Sequence, residues 1–239
     1  MLNLETLEKI DKSHMYRIYD KWPLIASENF ENKLEKIDIK NIDHIVFAGM
    51  GGSGTIGDTI SSILSKTKLH STVVKGYLLP KNIDKNTLIV ATSISGNTEE
   101  TLSIAKSALT SDAKFVSFSS GGLLDKFCKN NNLKNYSLRI DHSPRASFIG
   151  YIFSILNALE EIIPIKKNEQ YESISKLNDL HKLINTENLS ETNPSLNLAR
   201  WIKHIPIVYY PWGLQSAAIR FKNSFQENAK SHILVEDII

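Results

Sequence analysis

Ile45-Val46-Phe47-Ala48-Gly49-Met50-Gly51-Gly52-Ser53-Gly54 is a short apolar run closed by glycines, and Thr55 to Leu64 continues it with apolar side chains at helical spacing. An apolar run that stops at a glycine turn predicts a buried strand, and the 3.6-residue period behind it predicts a helix. The unit then returns. Thr72-Val73-Val74 predicts a second strand, and Leu88-Ile89-Val90-Ala91 a third, followed by a helix from Thr98 to Leu109. Phe115-Val116-Ser117-Phe118 predicts a fourth strand, followed by a helix from Leu123 to Asn130. Strands alternating with helices at this spacing predict an α/β fold, a parallel sheet covered by helices on both faces.

Outward from this core the pattern changes. Residues 3–35 read as largely helical, and Met15, Ile18, Tyr19 and Trp22 form an apolar stripe whose simplest role is packing. Arg145 to Ile163 predicts an apolar helix that packs under the sheet or in a subunit contact. Residues 166–200 are polar, and Leu177, Leu180 and Leu183 mark one amphipathic helix in a segment that connects two parts. The strand pattern starts again at Ile205-Pro206-Ile207-Val208-Tyr209-Tyr210, turns at Pro211-Trp212-Gly213 and runs into a helix from Leu214 towards Lys230. The expected organisation is two related α/β units, the second represented by one strand and one helix.

Composition sets the outer limits. The 239 residues carry 28 Lys+Arg against 26 Asp+Glu, a net charge of +2, which argues against a dedicated nucleic-acid binder. Hydrophobic residues at 41% and charged residues at 23% predict a packed core rather than disorder. Cys128 is the single cysteine, so no intrachain disulfide forms and a zinc site would lack a thiolate pair. The start has no basic-then-apolar leader, and Phe148 to Leu159 is too short for the ~20 residues that span a bilayer. A soluble, cytoplasmic protein is expected.

Three strand-end loops carry the chemistry. Residues 49–54 satisfy G-x-G-x-x-G between a strand and a helix. The dinucleotide reading of that motif also wants an acidic residue ~20 positions on, for the ribose. Val74-Lys75-Gly76-Tyr77 offers none, only Lys75 for a 2′-phosphate, so a tight structural turn remains an open alternative. The second loop, Thr92-Ser93-Ile94-Ser95-Gly96-Asn97-Thr98-Glu99-Glu100, surrounds a helix N-terminus with three hydroxyls and a glycine. Free N–H groups and the helix dipole favour an anion there, and Ser and Thr can donate to its oxygens. Capping by an Asn97/Glu100 pair is the competing explanation, and it accounts for only part of the set. Ser119-Ser120-Gly121-Gly122 repeats the theme after the fourth strand. In open α/β sheets ligands bind at the carboxyl ends of the strands, so the three loops together predict a pocket for a small phosphorylated ligand.

Gly51-Gly52-Ser53-Gly54, the segment Ser93 to Thr101, the turn Ser143-Pro144-Arg145-Ala146 and the helix Arg220 to Lys230 with its Glu-Asn-Ala-Lys resemble the sugar isomerase (SIS) superfamily. Within it the chain is most similar to the bifunctional phosphoglucose/phosphomannose isomerases. That resemblance implies a fold of two SIS subdomains, a three-layer sandwich each, usually in a homodimer. It places the N-terminal helices and first subdomain at 1–164 and linker helices with the start of a second at 165–239. It implies interconversion of glucose 6-phosphate or mannose 6-phosphate with fructose 6-phosphate, with no cofactor and no metal. By motif it assigns Gly51, Gly52, Ser53, Ser93, Ser95 and Thr98 to phosphate and sugar contacts, Arg145 to the reacting carbons and Glu227 to the catalytic base.

The chemistry makes those assignments reasonable. Moving a proton between C1 and C2 through an enediolate needs a carboxylate within reach and a positive charge where the oxyanion develops. Taken alone, Glu227 reads as a solvated helix residue and Arg145 as half of a surface ion pair. The family pattern also includes a histidine for ring opening and a C-terminal lysine, neither of which has a counterpart here. His232 reads as a surface or packing residue. His142 reads equally well as near the site or as an exposed loop residue. The second unit is expected to be incomplete at its C-terminal end. Two other functions stay open: a non-catalytic SIS module that binds a sugar phosphate for regulation, and a nicotinamide-dependent enzyme.

Overall fold

The glycine run is already helical. In the computed structural model, which describes residues 2–238, the helix expected from Thr55 begins at Gly51. Helices α1 (Leu4–Ile10), α2 (Tyr16–Tyr19) and α3 (Trp22–Glu31) come first. Strand β1 (His44–Ala48), α4 (Gly51–Leu64), β2 (His70–Val74), β3 (Thr87–Ser93), α5 (Glu99–Ala108), β4 (Lys114–Ser119), α6 (Gly122–Asn130) and β5 (Lys134–Ser137) then form the first α/β unit. Helices α7 (Phe148–Ala158), α8 (Lys167–Ile184) and α9 (Pro194–Trp201) lead to β6 (Ile207–Tyr210), α10 (Gln215–Ala229) and β7 (Leu234–Asp237).

The first five strands pair in parallel in the order β2-β1-β3-β4-β5. Side chains alternate across a strand, so each strand feeds both layers. Ile45, Phe47, Leu88, Val90, Val116 and Phe118 meet Ile56 and Ile60 of α4 and Tyr151 and Ile155 of α7 on one face. Val46, Ala48 and Ile89 meet Ile104 and Ala108 of α5 on the other, and α6 joins that layer through Leu124 and Cys128. Both β1 and β3 are buried along their whole length. The α/β reading holds, with helices on both sides of the sheet.

Helix α7 packs under the sheet, which settles the alternative left by its apolar sequence. All of its residues except Ile149 are buried. Helix α8 joins an apolar cluster with α3 through Ile174 and Leu177, while Leu180 and Leu183 stay exposed. Two other features differ from expectation. The polar segment holds a second helix, α9, and the first sheet has a fifth strand, β5, whose residues other than Tyr136 are not buried. Tyr136 anchors that edge: its ring stacks on Phe118 at 4.8 Å and its hydroxyl donates to the Glu35 carbonyl at 2.7 Å. Burial pushes the Tyr136 phenol up to about 12, so it stays a donor throughout the physiological range.

The C-terminal part is a βαβ unit rather than one strand and one helix. Strands β6 and β7 pair in parallel, Ile207 opposite Leu234 and Tyr210 opposite Asp237, with α10 as the crossover. Helix α10 packs against α4 of the first unit. Among the described residues no helix is long and apolar enough to cross a membrane.

Candidate functional site

The strand order reverses between β1 and β3, and in open α/β sheets the crevice at that reversal is where ligands bind. The loops that follow these two strands are the glycine run and the Ser93–Thr98 segment. They touch directly: Ser53 Oγ accepts from the Ile94 amide at 3.4 Å. Close approach needs glycine at position 49, where a Cβ would stand 2.8 Å from the Thr92 carbonyl oxygen.

Both helices at this crevice start without a side-chain cap. The first-turn N–H groups of α4 and α5 therefore face outward, the arrangement that holds an anion. Capping does not account for the hydroxyls. Thr98 is the N-cap residue of α5, but its Oγ1 bonds Ser93 Oγ at 2.9 Å instead of a helix amide. Ser95 is exposed, and its Oγ accepts only from the Asn97 amide in its own loop, at 3.3 Å. Asn97 is no part of a capping box for α5. Its Oδ1 accepts from the Leu123 amide of α6 at 3.0 Å, and the Gly96 carbonyl accepts from Leu124 at 2.8 Å.

Those two bonds also correct the reading of the third loop. The N-terminus of α6 is closed by the second loop, and a Cβ on Gly96 would collide with the Gly121 carbonyl. Ser120 Oγ donates to the Ile94 carbonyl at 2.7 Å, and Ser119 Oγ to Asn135 Oδ1 at 3.1 Å. Residues 119–122 thus brace the second loop from behind, and two loops, not three, offer free donors. Lys75 is paired with Asp58 at 2.5 Å, so the one residue that favoured a 2′-phosphate already has a carboxylate partner.

A second cluster forms around Arg145. Its Nε donates to Glu227 Oε2 at 2.9 Å and its Nη1 to Asn228 Oδ1 at 2.9 Å. The two side chains are 34% and 45% exposed, so the pair contributes only about 0.2–1 kcal/mol to stability and matters for position. Glu227 sits in the last turn of α10, at the carbonyl end of the helix dipole, and the guanidinium supplies compensating positive charge. The helix stops at Ala229, and Lys230 takes a left-handed conformation with φ +53°. His232 is exposed and lies beyond the end of the helix. His142 Nε2 lies 2.9 Å from the Ser13 carbonyl, tied to the N-terminal segment.

The turn bearing Arg145 is held from several sides. Trp22 Nε1 donates to the Ala146 carbonyl at 2.8 Å, and Ser147 Oγ donates to the Ser143 carbonyl at 2.9 Å. Within the apolar stripe of the N-terminal helices, Tyr19 meets Trp22 and Trp22 stacks on Phe148, but Trp22 also does this polar work, for which the indole N–H was the available signal. Arg145 and Glu227 are thus brought into contact, and Ser53, Ser93, Ser95 and Thr98 form a separate group on two touching loops. No hydrogen bond among the described residues joins the two groups; α10 packing on α4 links the elements that carry them.

The SIS domain family matches residues 38–151, and the bacterial phospho-glucose isomerase C-terminal SIS domain family matches residues 191–239. The chain belongs to the SIS superfamily. This SIS chain is 33% identical over 214 residues to a bifunctional phosphoglucose/phosphomannose isomerase of Caldicellulosiruptor bescii, covering 86% of the chain and 62% of that relative. It is 33% identical over 187 residues to another of the same description from Thermoplasma acidophilum, covering 78% of the chain and 56% of the relative. The chain therefore spans between 56% and 62% of the length of these two relatives. Among solved structures, a tagatose-6-phosphate ketose/aldose isomerase from Escherichia coli matches with TM-score 0.62 at 20% identity, over 94% of this chain and 64% of that one, which is a likeness of SIS fold.

Proposed function

We propose that this SIS chain carries the phosphate cradle and the base of an aldose–ketose isomerase that interconverts glucose 6-phosphate or mannose 6-phosphate with fructose 6-phosphate. The observation that carries the reading is the Arg145–Glu227 contact, a carboxylate and a permanent cation brought together from two parts of the chain. In this reading the phosphate sits on the uncapped N-termini of α4 and α5, with Gly51, Gly52, Ser53, Ser93, Ser95 and Thr98 as donors.

Glu227 takes the proton from C2 of the open-chain aldose and returns it to C1. The carbonyl oxygen at C1 gains a proton as the C2 hydroxyl loses one, so the product is the ketose and no other reactant is consumed. Arg145 faces the oxyanion of the intermediate enediolate and cannot neutralise it by giving up a proton. Because C2 is planar in the enediolate, one base serves both epimers. Residues 1–164 form the first functional part and 165–239 the part that delivers Glu227. A cytoplasmic homodimer is the assembly that the family resemblance supports, and light scattering on the purified protein tests the dimer.

The function itself is tested by incubating the purified protein with fructose 6-phosphate and measuring both aldoses. Formation of glucose 6-phosphate and mannose 6-phosphate supports the reading. Binding without either product favours the regulatory sugar-phosphate module instead.

A further inference from the structure

Arg220 lies seven residues before Glu227 on α10, two turns away and on the same side of the helix, ~10.5 Å along its axis. Its Nη2 donates to the main-chain carbonyl of Arg145 at 2.7 Å. Its guanidinium stands over the Phe148 ring at 4.8 Å from the centroid. Among the described residues its buried Nε has no hydrogen-bond partner and no carboxylate pairs with it. A partly buried cation without a counter-ion is costly, and this one gives its charge-assisted bond to a single carbonyl.

That carbonyl belongs to the residue that touches the base. Trp22 holds the next carbonyl in the turn, that of Ala146, at 2.8 Å. Phe148 joins the two grips, since Trp22 stacks on it at 6.4 Å between centroids and Arg220 lies over it. The Arg145 main chain is thereby fixed to the same helix that carries Glu227. We propose that Arg220 is a positioning residue: by clamping the Arg145 carbonyl to α10 it sets where the Arg145 guanidinium stands relative to the Glu227 carboxylate. The inference rests on the isomerase reading above for its consequence in turnover, but its geometric part stands without it.

Lysine keeps the charge and a donor but loses the planar stack, and methionine loses all three. Arg220→Met and Arg220→Lys are compared with the wild type in two measurements. The first follows water exchange of the Arg145 Nε–H by NMR, the resonance being assigned by its loss in Arg145→Lys. The second measures kcat and KM for fructose 6-phosphate, alongside inhibition by inorganic phosphate and thermal melting.

The expected result is faster Nε–H exchange in Arg220→Met and a kcat lowered about 10–100-fold, since small misplacements of a reacting group have effects of that size. KM and phosphate inhibition stay within about twofold of the wild type, because the cradle is elsewhere, and Arg220→Lys falls between the two. Unchanged exchange in a folded Arg220→Met overturns the proposal, as does a parallel loss of kcat, phosphate affinity and melting temperature in both variants. If the wild type turns over no hexose phosphate while Arg220→Met still speeds exchange, the isomerase reading fails and the clamp stands.

Discussion

The side-chain carbonyl of Asn97 accepts a hydrogen bond from the main-chain N–H of Leu123 at 3.0 Å. It is the second loop that closes the start of α6, and this leaves the start of α5 open. Asn97→Ala removes what acts as an N-cap from a neighbouring loop, at about 1 kcal/mol. For a chain of this size we expect the melting temperature to fall by about 2–4 °C. Hexose phosphate affinity should weaken with it, because the loop bearing Ser95 loses its brace. Calorimetric melting and titration on the same samples check both; a variant that melts and binds as the wild type contradicts the bracing role.

Ser93 and Thr98 bond each other through their hydroxyls at 2.9 Å. A hydrogen bond to a charged group is worth about 1.5–3 kcal/mol, so removing both hydroxyls should lower phosphate affinity about 100-fold or more. Ser93→Ala with Thr98→Val, titrated with inorganic phosphate and with fructose 6-phosphate, reads this directly. The loss should be similar for the two ligands, since the contact is to the group they share.

Two glycines separate folding from binding. Gly96 has φ +70°, and an added Cβ meets the Gly121 carbonyl, so Gly96→Ala should destabilise by ~3 kcal/mol. Gly52 lies at the open end of α4, and a Cβ there meets nothing within 4 Å. Gly52→Ala should melt normally yet bind fructose 6-phosphate more weakly, because its Cβ projects into the space assigned to the phosphate. Normal binding by a folded Gly52→Ala would remove α4 from the cradle.

His44 lies at the opposite end of the sheet, 6% exposed, with Nε2 2.9 Å from Thr72 Oγ1 and its ring 4.8 Å from that of His70. Burial, then the nearby His70, lowers its affinity for a proton, so the folded protein keeps it neutral where the unfolded chain charges it. The unfolded state binds more protons as the pH drops below about 6.5, and stability is lost in that direction. Denaturant midpoints between pH 8 and pH 5 should fall for the wild type and fall less for His44→Gln.

Strands β1, β3 and β4 and helices α5 and α6 are legible in the sequence because each is long, apolar on the correct period and punctuated by glycine or serine turns. The start of α4 is not, since Gly51, Gly52 and Gly54 have poor helix propensity and are helical here only because the chain must turn sharply after Ala48. Strand β5 has one buried side chain, Tyr136, and β7 has none, so neither has an apolar alternation to read. Helix α9 did carry a signal, Asn193 as N-cap with Pro194 behind it, and Asn193 Oδ1 accepts from the amides of Ser195 and Leu196. The Arg145–Glu227 contact joins distant residues and has no local signature. Only the order of motifs along the chain pointed to it, and the grips of Trp22 and Arg220 on the same turn became visible once the helices were in place.

Solvent exchange tests the role of Glu227 most directly. An enediolate base trades its proton with water, so fructose 6-phosphate incubated with the protein in heavy water should take up deuterium at C1, read by proton NMR. The wild type is expected to exchange and to form aldose, while Glu227→Gln binds fructose 6-phosphate at near wild-type affinity and exchanges about 100-fold more slowly or less. Deuterium uptake at the wild-type rate in Glu227→Gln would contradict the account.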